Sequence, residues 1–311
     1  MSAGSSGVEA VPLHKATPEQ LEKEFFPPRP DPELAPEQFK LWQDILRRNP
    51  KRLRPEHRPE LGKGLPETKN WSGAILSARD QNTQSLMNAY TKPSPFNLIR
   101  GSLVIPNPQP LIKDSIGDRS YVDGKYRLYS YIGLDGWQNE VSLKVGVESG
   151  IDVLDGNIKE KYHHAAILFR GPKEQPMSYY WFNKNFVEPG DLITAYVWTT
   201  PDGKVGKATL INEAKNIYDG GELKPPEPGV VVKGQSGEWV ISGKNPDAPP
   251  NYRMPHYGAT AFFNGFVTRK DKREQSMSEA MLADSEEVNS SARRRDEVLM
   301  YSGCRHPNKQ Y

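Results

Sequence analysis

The sequence lacks three features that would assign it to common classes of protein. Cys304 is the single cysteine in 311 residues, so no disulfide forms within the chain. No apolar run is long enough for a signal peptide or a membrane span. With 41 basic and 39 acidic residues, the formal net charge of +2 argues neither for a nucleic-acid binder nor for an acid-adapted secreted enzyme. These absences predict an intracellular, cytoplasmic protein that binds neither nucleic acid nor membrane.

The first 69 residues are rich in proline and charge and differ from the rest of the chain. Thr17, Pro18 and Gln20 match the capping box of a short helix. Residues 36–49 predict a longer helix that ends before a proline. Its apolar side chains share one face: Phe39, Trp42, Ile45 and Leu46. We expect this face to be buried against the main domain, a second copy of the chain or another partner.

From residue 70 to about residue 270 the apolar pattern changes to a period of two. The segment DLITAYVWTT alternates and is followed by PDGK and VGKATLINEA, which is the pattern of a β-hairpin. Asp-Gly pairs recur near several strand-like segments, and no helical pattern interrupts them. The sequence therefore predicts an all-β fold, an antiparallel β-sandwich, over residues 70–270. Residues 271–311 predict a polar C-terminal tail with a short helix.

Seven segments of this region occur in the order of a known family's motifs: NWSGAIL (70–76), YIGLDG (131–136), SLKVGV (142–147), YYWF (179–182), VEPGDLITAYV (187–197), GEWVIS (237–242) and MPHYGATAFFNG (254–265). Together they resemble the eqolisins, the glutamic peptidases (peptidase A4 type) of fungi and some bacteria. The resemblance implies a concanavalin A-like β-sandwich of two curved, seven-stranded sheets. It also implies a substrate groove on the concave face, and we expect no cofactor and no metal there.

The resemblance to this family implies a catalytic pair of a glutamine and a glutamate, and this chain has a different residue at each of the two positions. The glutamine position is Lys144 and the glutamate position is Ser242. A serine hydroxyl does not take a proton from water unless another base activates it, and a lysine ammonium only donates hydrogen bonds. We therefore expect a pseudoenzyme without glutamic peptidase activity. A new Lys144–Ser242 dyad would require a neutral lysine within hydrogen-bond reach of the hydroxyl.

Glu238 matches a second glutamate of the family and is an obvious replacement for the lost base. In a strand, Glu238 and Ser242 share a face but lie roughly 13 Å apart, which argues against that replacement. Asp135, Glu140 and Glu238 are the carboxylates near Lys144 in the motifs. Asp135 fits either a groove carboxylate or a turn residue.

The remaining candidates are aromatic. Tyr131 and Tyr180 match groove-lining positions where the family has Trp and Glu, while Trp181 is retained. His163 and His164 are adjacent in a strand and point to opposite faces, so they predict no metal site.

The sequence favours a groove that binds a peptide or a small organic ligand. Its predicted lining is Tyr131, Lys144, Tyr180 and Ser242, which suits an anionic or carbonyl-bearing, partly aromatic ligand. Isomerisation or cyclisation of such a ligand is a chemistry that the groove could have acquired. Two alternatives stay open. One is a working glutamic endopeptidase whose dyad lies at other positions, and the other is an interaction protein that forms oligomers or binds a partner through the helix 36–49.

Overall fold

The computed structural model describes residues 12–53, 60–63, 71–78, 94–113, 120–137, 139–172, 176–243, 252–284, 290–295 and 299–304. Two helices lie in the N-terminal arm (residues 12–53): α1 (Pro18–Lys23) and α2 (Pro36–Arg48). Single 3-10 turns occupy Leu13–Lys15 and Met277–Glu279. The rest of the regular structure is β-strand.

The first sheet has nine strands in the described part of the chain. In spatial order they are β1 (Lys51–Arg52), β11 (Ile217–Leu223), β10 (Gly206–Asn212), β9 (Leu192–Thr199), β4 (Phe96–Val104), β14 (Ala259–Arg269), β18 (Leu299–Cys304) and β17 (Ser290–Arg295), with β15 (Glu274–Ser276) beside β14.

The second sheet also has nine described strands. They are β16 (Met281–Asp284), β3 (Trp71–Ser77), β12 (Ser236–Gly243), β5 (Gly124–Leu134), β6 (Ser142–Leu154), β7 (Asn157–Arg170), β8 (Pro176–Trp181) and β2 (Glu60–Lys63), with β13 (Tyr252–Arg253) beside β5. The short β1–β11 and β13–β5 pairs are parallel, and the other described pairs are antiparallel. The predicted antiparallel sandwich is confirmed, with nine strands in each sheet among the described residues, where the resemblance implied seven.

Apolar side chains from both sheets fill the space between them. From the second sheet they include Ile132, Leu143, Val145, Ile167, Trp239 and Ile241, and from the first sheet Ile99, Leu103, Ile193, Val197 and Leu210. Because side chains alternate along a strand, the odd-numbered residues of β5 and the even-numbered residues of β6 and β12 point to the opposite side of the second sheet. We call that side the outer face, and it carries the candidate site.

Asp-Gly pairs form turns at two places where the sequence indicates hairpins. Gly203, at φ 71°, lies in the turn between β9 and β10, as PDGK predicts. Asp155 and Gly156 both have positive φ and connect β6 to β7, which is the backbone of a tight hairpin turn. Asp219 and Gly220 lie inside β11 instead, where the Asp219 carboxylate accepts a hydrogen bond from the Tyr180 hydroxyl.

The N-terminal arm packs on the first sheet, on the side away from the second sheet. Its buried apolar residues Leu13, Leu21, Phe26, Trp42, Ile45 and Leu46 contact Leu98, Tyr196, Trp198, Ile211 and Tyr218. The predicted capping box of α1 is present at Thr17 and Gln20. Glu274 of β15 accepts hydrogen bonds from the first backbone N–H groups of α2, which supplies the acceptor that a helix N-terminus needs. The apolar face of α2 is therefore covered by the chain itself, and a partner at this helix stays a prediction.

The sandwich continues beyond residue 270, where the sequence predicts a polar tail. β15 pairs with β14, β16 pairs with β3, and β17 and β18 extend the first sheet. Among the described residues of the segment predicted as a short helix, Met277–Glu279 form a 3-10 turn, and β15 and β16 lie on either side of it. Met277 is buried in the core and its neighbours carry capping hydrogen bonds, so this turn packs on the sandwich. In the described part of the chain, no helix has the length and apolar composition needed to cross a membrane.

Candidate functional site

Strand register places several predicted site residues on one outer face. Across the sheet, Glu238 of β12 lies level with Gly133 of β5, which lies level with Lys144 of β6. The neighbouring row runs from Tyr131 across Gly146 and Ala166 to Trp181. Gly146 and Ala166 have little or no side chain, so they form a floor between the larger side chains of Tyr131 and Trp181. At about 4.8 Å per strand the two aromatic positions are roughly 14 Å apart.

Lys144 holds its ammonium between an aromatic ring and a carboxylate. Its Nζ donates a hydrogen bond of 3.1 Å to the Tyr131 hydroxyl and lies 4.3 Å from the centre of the same ring. The distance to Glu238 Oε2 is 3.8 Å, and 19% of the Lys144 side chain is exposed. Burial alone would lower the pKa of Lys144, but Tyr131 and Glu238 outweigh burial and raise the pKa above its usual value. The lysine is therefore a cation in this site.

Glu238 is the carboxylate that the fold brings to Lys144. Its Oε1 accepts hydrogen bonds from the Trp137 backbone N–H at 2.5 Å and the Ser236 hydroxyl at 3.1 Å. Only 4% of its side chain is exposed. Burial raises the pKa of Glu238, although Lys144 and the two hydrogen bonds favour the charged form. Among the three carboxylates that the sequence offered as neighbours of Lys144, Glu238 is the one that pairs with it.

Asp135 serves the turn rather than the outer face. It has φ 61° and is fully buried. Its carboxylate accepts hydrogen bonds from the backbone N–H groups of Lys233, Gly234 and Gln235, at 2.6, 3.1 and 2.6 Å. Burial raises the pKa of Asp135 even though these donors favour its charged form. Of the two readings that the sequence left open, the geometry favours the turn residue.

Tyr180 does not line the predicted groove with Tyr131. It pairs with Ile167, whose side chain is in the core, and its own side chain is buried between the sheets. Its hydroxyl donates a hydrogen bond of 3.1 Å to Asp219 of the first sheet. The expectation was wrong because alternation along β8 turns Tyr179 and Trp181 outward and Tyr180 inward.

Ser242 and Lys144 do not form a dyad in this structure. Ser242 lies level with Tyr129 of β5, whereas Lys144 lies level with Gly133. They are separated by two strand spacings and by four residues along the strand, which is roughly 13 Å in that direction alone. Ser242 shares the outer face but lies beyond the reach of the lysine.

The same face carries a second polar cluster that sequence reasoning missed. Glu148 accepts a hydrogen bond of 2.7 Å from the Tyr162 hydroxyl. Arg127 lies 3.4 Å from Glu148 and 2.6 Å from Asp152, so its charge is already paired. His164 stacks on Tyr162 at 4.5 Å between ring centres. The alternation that starts at Lys144 puts Glu148 on the outer face and could have indicated this cluster.

His163 and His164 point to opposite faces, as the sequence predicts for neighbours in a strand. His163 Nδ1 lies 2.8 Å from the Ser149 hydroxyl, and burial lowers the pKa of His163 to about 4. The described residues contain no group of three or more His, Cys, Asp or Glu side chains that could hold a metal ion.

Comparisons with known proteins agree with the motifs and the fold. Scytalido-glutamic peptidase has been solved with a peptide-based transition-state analogue and with a transition-state analogue inhibitor. Each structure is 16% identical, covers 76% of this chain and 98% of its own, and gives a TM-score of 0.52. Aspergilloglutamic peptidase from Aspergillus niger is 17% identical over 58% of this chain and 99% of its own, with a TM-score of 0.46. No curated protein matches. The model of the peptidase A4 family matches residues 69–301, and the chain therefore belongs to the peptidase A4 family.

Proposed function

We propose that the outer face of the second sheet binds a peptide or a small organic ligand through a carbonyl or carboxylate group and does not cleave it as a glutamic peptidase would. The observation that carries this proposal is the position of Lys144. An ammonium has three N–H donors. In the described part of the chain, Lys144 makes one direct hydrogen bond, to Tyr131, and Glu238 at 3.8 Å is beyond direct hydrogen-bond distance. Two donors are thus available to a ligand oxygen.

The rest of the face favours a partly aromatic ligand. Tyr131 and Trp181 stand at the sides of the floor made by Gly146 and Ala166. Trp181 also contacts the rings of His164 and Tyr179, edge to face. Aromatic walls with a few placed polar groups are typical of ligand sites, since the rings bury apolar area and the polar groups orient the ligand.

The absence of peptidase activity is inferred from the two substituted positions. The resemblance puts Lys144 and Ser242 where the family has its glutamine and glutamate, and these two residues are far apart along the strands here. Lysine donates hydrogen bonds but accepts none, so it does not hold a water molecule as a glutamine amide does.

Binding is tested with 3-phenylpropanoate, which joins a carboxylate to an aromatic ring. Ligand-observed NMR and tryptophan fluorescence should show binding to the full chain, and Lys144→Gln should weaken it at least about tenfold, because hydrogen bonds to charged groups contribute about 1.5–3 kcal/mol. Lys204→Gln is the matched control, since Lys204 is an exposed lysine in the β9–β10 turn of the other sheet. Equal affinities for the two variants, or no binding by the wild type, would contradict the proposal.

A working glutamic peptidase is the second candidate, and one observation favours it. The fold brings the retained glutamate Glu238 to within 3.8 Å of Lys144. Glu238 could serve as the general base for a water molecule and Lys144 as the donor to the oxyanion. This arrangement would be a dyad at other positions than the resemblance implies.

Digestion of denatured casein and haemoglobin between pH 2 and 8 separates the two candidates. We expect no digestion at any of these pH values by the purified full chain. Turnover that Glu238→Gln abolishes would establish the peptidase. Turnover that persists in both Glu238→Gln and Lys144→Gln would contradict the expectation and mean that the catalytic residues lie at other positions in the chain.

A further inference from the structure

Glu238, Lys144 and Tyr131 form a connected group at one end of the outer face. Glu238 Oε2 lies 3.8 Å from Lys144 Nζ, which lies 3.1 Å from the Tyr131 hydroxyl. Beyond the binding role proposed above, on which this inference rests, we propose that these three residues form an acid–base centre that moves a proton within a ligand carrying an enolisable carbonyl group. The ligand class is a ketone or aldehyde with an acidic hydrogen on the neighbouring carbon.

Glu238 is placed to act as the base. Its two oxygens have different surroundings: Oε1 accepts the hydrogen bonds from Trp137 and Ser236, while Oε2 makes only the longer contact with Lys144 in the described part of the chain. The first oxygen therefore holds the carboxylate in place and the second is available. Carboxylates buried in an apolar site are the usual bases for removing a proton next to a carbonyl, because loss of water makes them stronger bases.

Gly136 packs closely against this oxygen and against the lysine. A Cβ at Gly136 would lie 3.1 Å from Glu238 Oε2 and 3.2 Å from Lys144 Nζ. These distances are shorter than van der Waals contact, so the turn holds the base and the cation side by side, which is the arrangement needed for a carbon acid whose oxygen binds the cation.

Lys144 and Tyr131 are placed to hold the oxygen. The ligand carbonyl accepts a hydrogen bond from a remaining Lys144 N–H, and the Tyr131 hydroxyl, which accepts a hydrogen bond from the same nitrogen, fixes the position of the ammonium. Negative charge collects on that oxygen as the carbon loses its proton, and a fixed ammonium in a site with little water stabilises this charge.

The reaction balances without a second reagent. The C–H bond next to the carbonyl breaks and an O–H bond forms on Glu238. The electron pair of the C–H bond forms a carbon–carbon double bond, and the carbonyl pair moves to the oxygen held by Lys144. Glu238 then returns the proton either to the same carbon, which exchanges hydrogen with solvent, or to the far carbon of an adjacent double bond, which shifts that double bond.

The test follows the conversion of cyclohex-3-enone to cyclohex-2-enone by ultraviolet absorbance, with the purified full chain. We expect the wild type to accelerate the conversion over buffer. Glu238→Gln should lower the rate by about 100-fold or more, which is the usual effect of losing a general base, and Lys144→Gln should lower it as well. Glu160→Gln is the control, because it removes an exposed carboxylate from β7 of the same sheet. A wild-type rate equal to that of Glu238→Gln overturns the proposal.

Two further measurements separate this inference from the binding proposal. Glu238→Gln should still bind 3-phenylpropanoate while losing the conversion, whereas Lys144→Gln should lose both. The wild-type rate should also fall as pH decreases and Glu238 becomes protonated, and Glu238→Gln should show no such fall. If 3-phenylpropanoate binds in a Lys144-dependent way but no conversion occurs, the acid–base role is wrong and the binding role stands. If no ligand binds but conversion depends on Glu238, the binding proposal fails instead.

Discussion

The hydroxyl of Tyr180, on the second sheet, donates a hydrogen bond of 3.1 Å to the carboxylate of Asp219, on the first sheet. Arg52, at the end of the N-terminal arm, lies 3.8 Å from the other oxygen of Asp219 and makes an ion pair of 2.8 Å with Glu24. One buried carboxylate therefore connects both sheets and the arm. This network is separate from the outer face and gives the chain a polar contact inside its core.

Removing the Tyr180 hydroxyl should affect stability and leave the outer face unchanged. Tyr180→Phe removes a donor from a buried carboxylate, which should lower the free energy of unfolding by about 1–3 kcal/mol. Tyr131→Phe removes a hydroxyl of the same kind from the outer face and should weaken the binding of 3-phenylpropanoate with a smaller effect on stability. Urea unfolding and ligand-observed NMR on both variants check this contrast. If Tyr180→Phe no longer binds 3-phenylpropanoate, Tyr180 contributes to the ligand site after all.

Asp219 should make stability depend on pH. Burial raises the pKa of Asp219 to about 6, from an unfolded value of about 3.9. Between these values the folded protein keeps a proton that the unfolded chain has released, so this carboxyl makes the fold less stable as pH rises from about 4 to about 6. The full effect is on the order of 3 kcal/mol and stays constant above that range.

Asp219→Asn tests the sign of this effect. The variant should lose the part of the pH dependence that Asp219 causes. The free energy of unfolding of the wild type minus that of the variant should therefore fall as pH rises from about 4 to about 6. Urea unfolding at pH 4, 5, 6 and 7 measures the difference. Asp271→Asn is the control, because Asp271 is an exposed turn residue. A difference that rises with pH instead would mean that Arg52 and the Tyr180 hydroxyl outweigh burial.

Trp42 should be the main anchor of the N-terminal arm. Its side chain is buried, its indole N–H donates a 3.0 Å hydrogen bond to the Pro27 carbonyl, and its ring packs against Phe26. Trp42→Ala should lower the free energy of unfolding by about 3–5 kcal/mol, as for other buried tryptophans. Phe39→Ala should lower the free energy of unfolding by less than Trp42→Ala does, since Phe39 is only half-buried.

Limited proteolysis of the same two variants gives a second measurement. In the wild type, α2 should resist cleavage, and Trp42→Ala should make it sensitive. The prediction is wrong if Trp42→Ala lowers the free energy of unfolding by less than about 1 kcal/mol and the protease cuts rapidly inside α2 of the wild type. That result would show that the arm does not stay packed on the first sheet.

The sequence was sufficient to predict the elements whose cause is local. Alternation and the Asp202–Gly203 turn predicted the β9–β10 hairpin, and the capping box at Thr17 predicted the start of α1. The register between strands that are distant in sequence was not predictable in this way. Glu238 lies level with Lys144 because β12 and β6 both pair with β5, and no local pattern fixes that alignment.

The polar strands after residue 270 and the inward turn of Tyr180 escaped prediction for a related reason. β15 and β16 are short and carry half-exposed residues, so neither has the apolar alternation that indicates a strand. In the segment YYW, adjacent aromatic residues look alike in sequence, yet alternate ones face the core and the outer face. Only the position of the neighbouring strand decides which of them reaches a ligand.

The last prediction concerns Gly136, which borders the Lys144–Glu238 pair. Its φ of 118° is strained for any residue with a side chain, and a Cβ would lie 2.9 Å from Glu238 Oε1 as well as close to Oε2 and Lys144 Nζ. Gly136→Ala should therefore displace the ion pair in addition to straining the backbone. Gly190→Ala is the matched control, because Gly190 also has a positive φ, 86°, and no atom lies within 4 Å of the Cβ position.

The control variant measures the cost of a side chain at a positive φ without a collision, which is about 1–2 kcal/mol in the left-handed region. Gly136→Ala should lose more stability than Gly190→Ala in thermal unfolding, because buried, hydrogen-bonded Glu238 cannot move away freely. It should also weaken the binding of 3-phenylpropanoate, whereas Gly190→Ala should bind as the wild type does. If both alanine variants bind equally well, the Lys144–Glu238 pair is not part of the binding site, and the site on the outer face must lie nearer to Trp181.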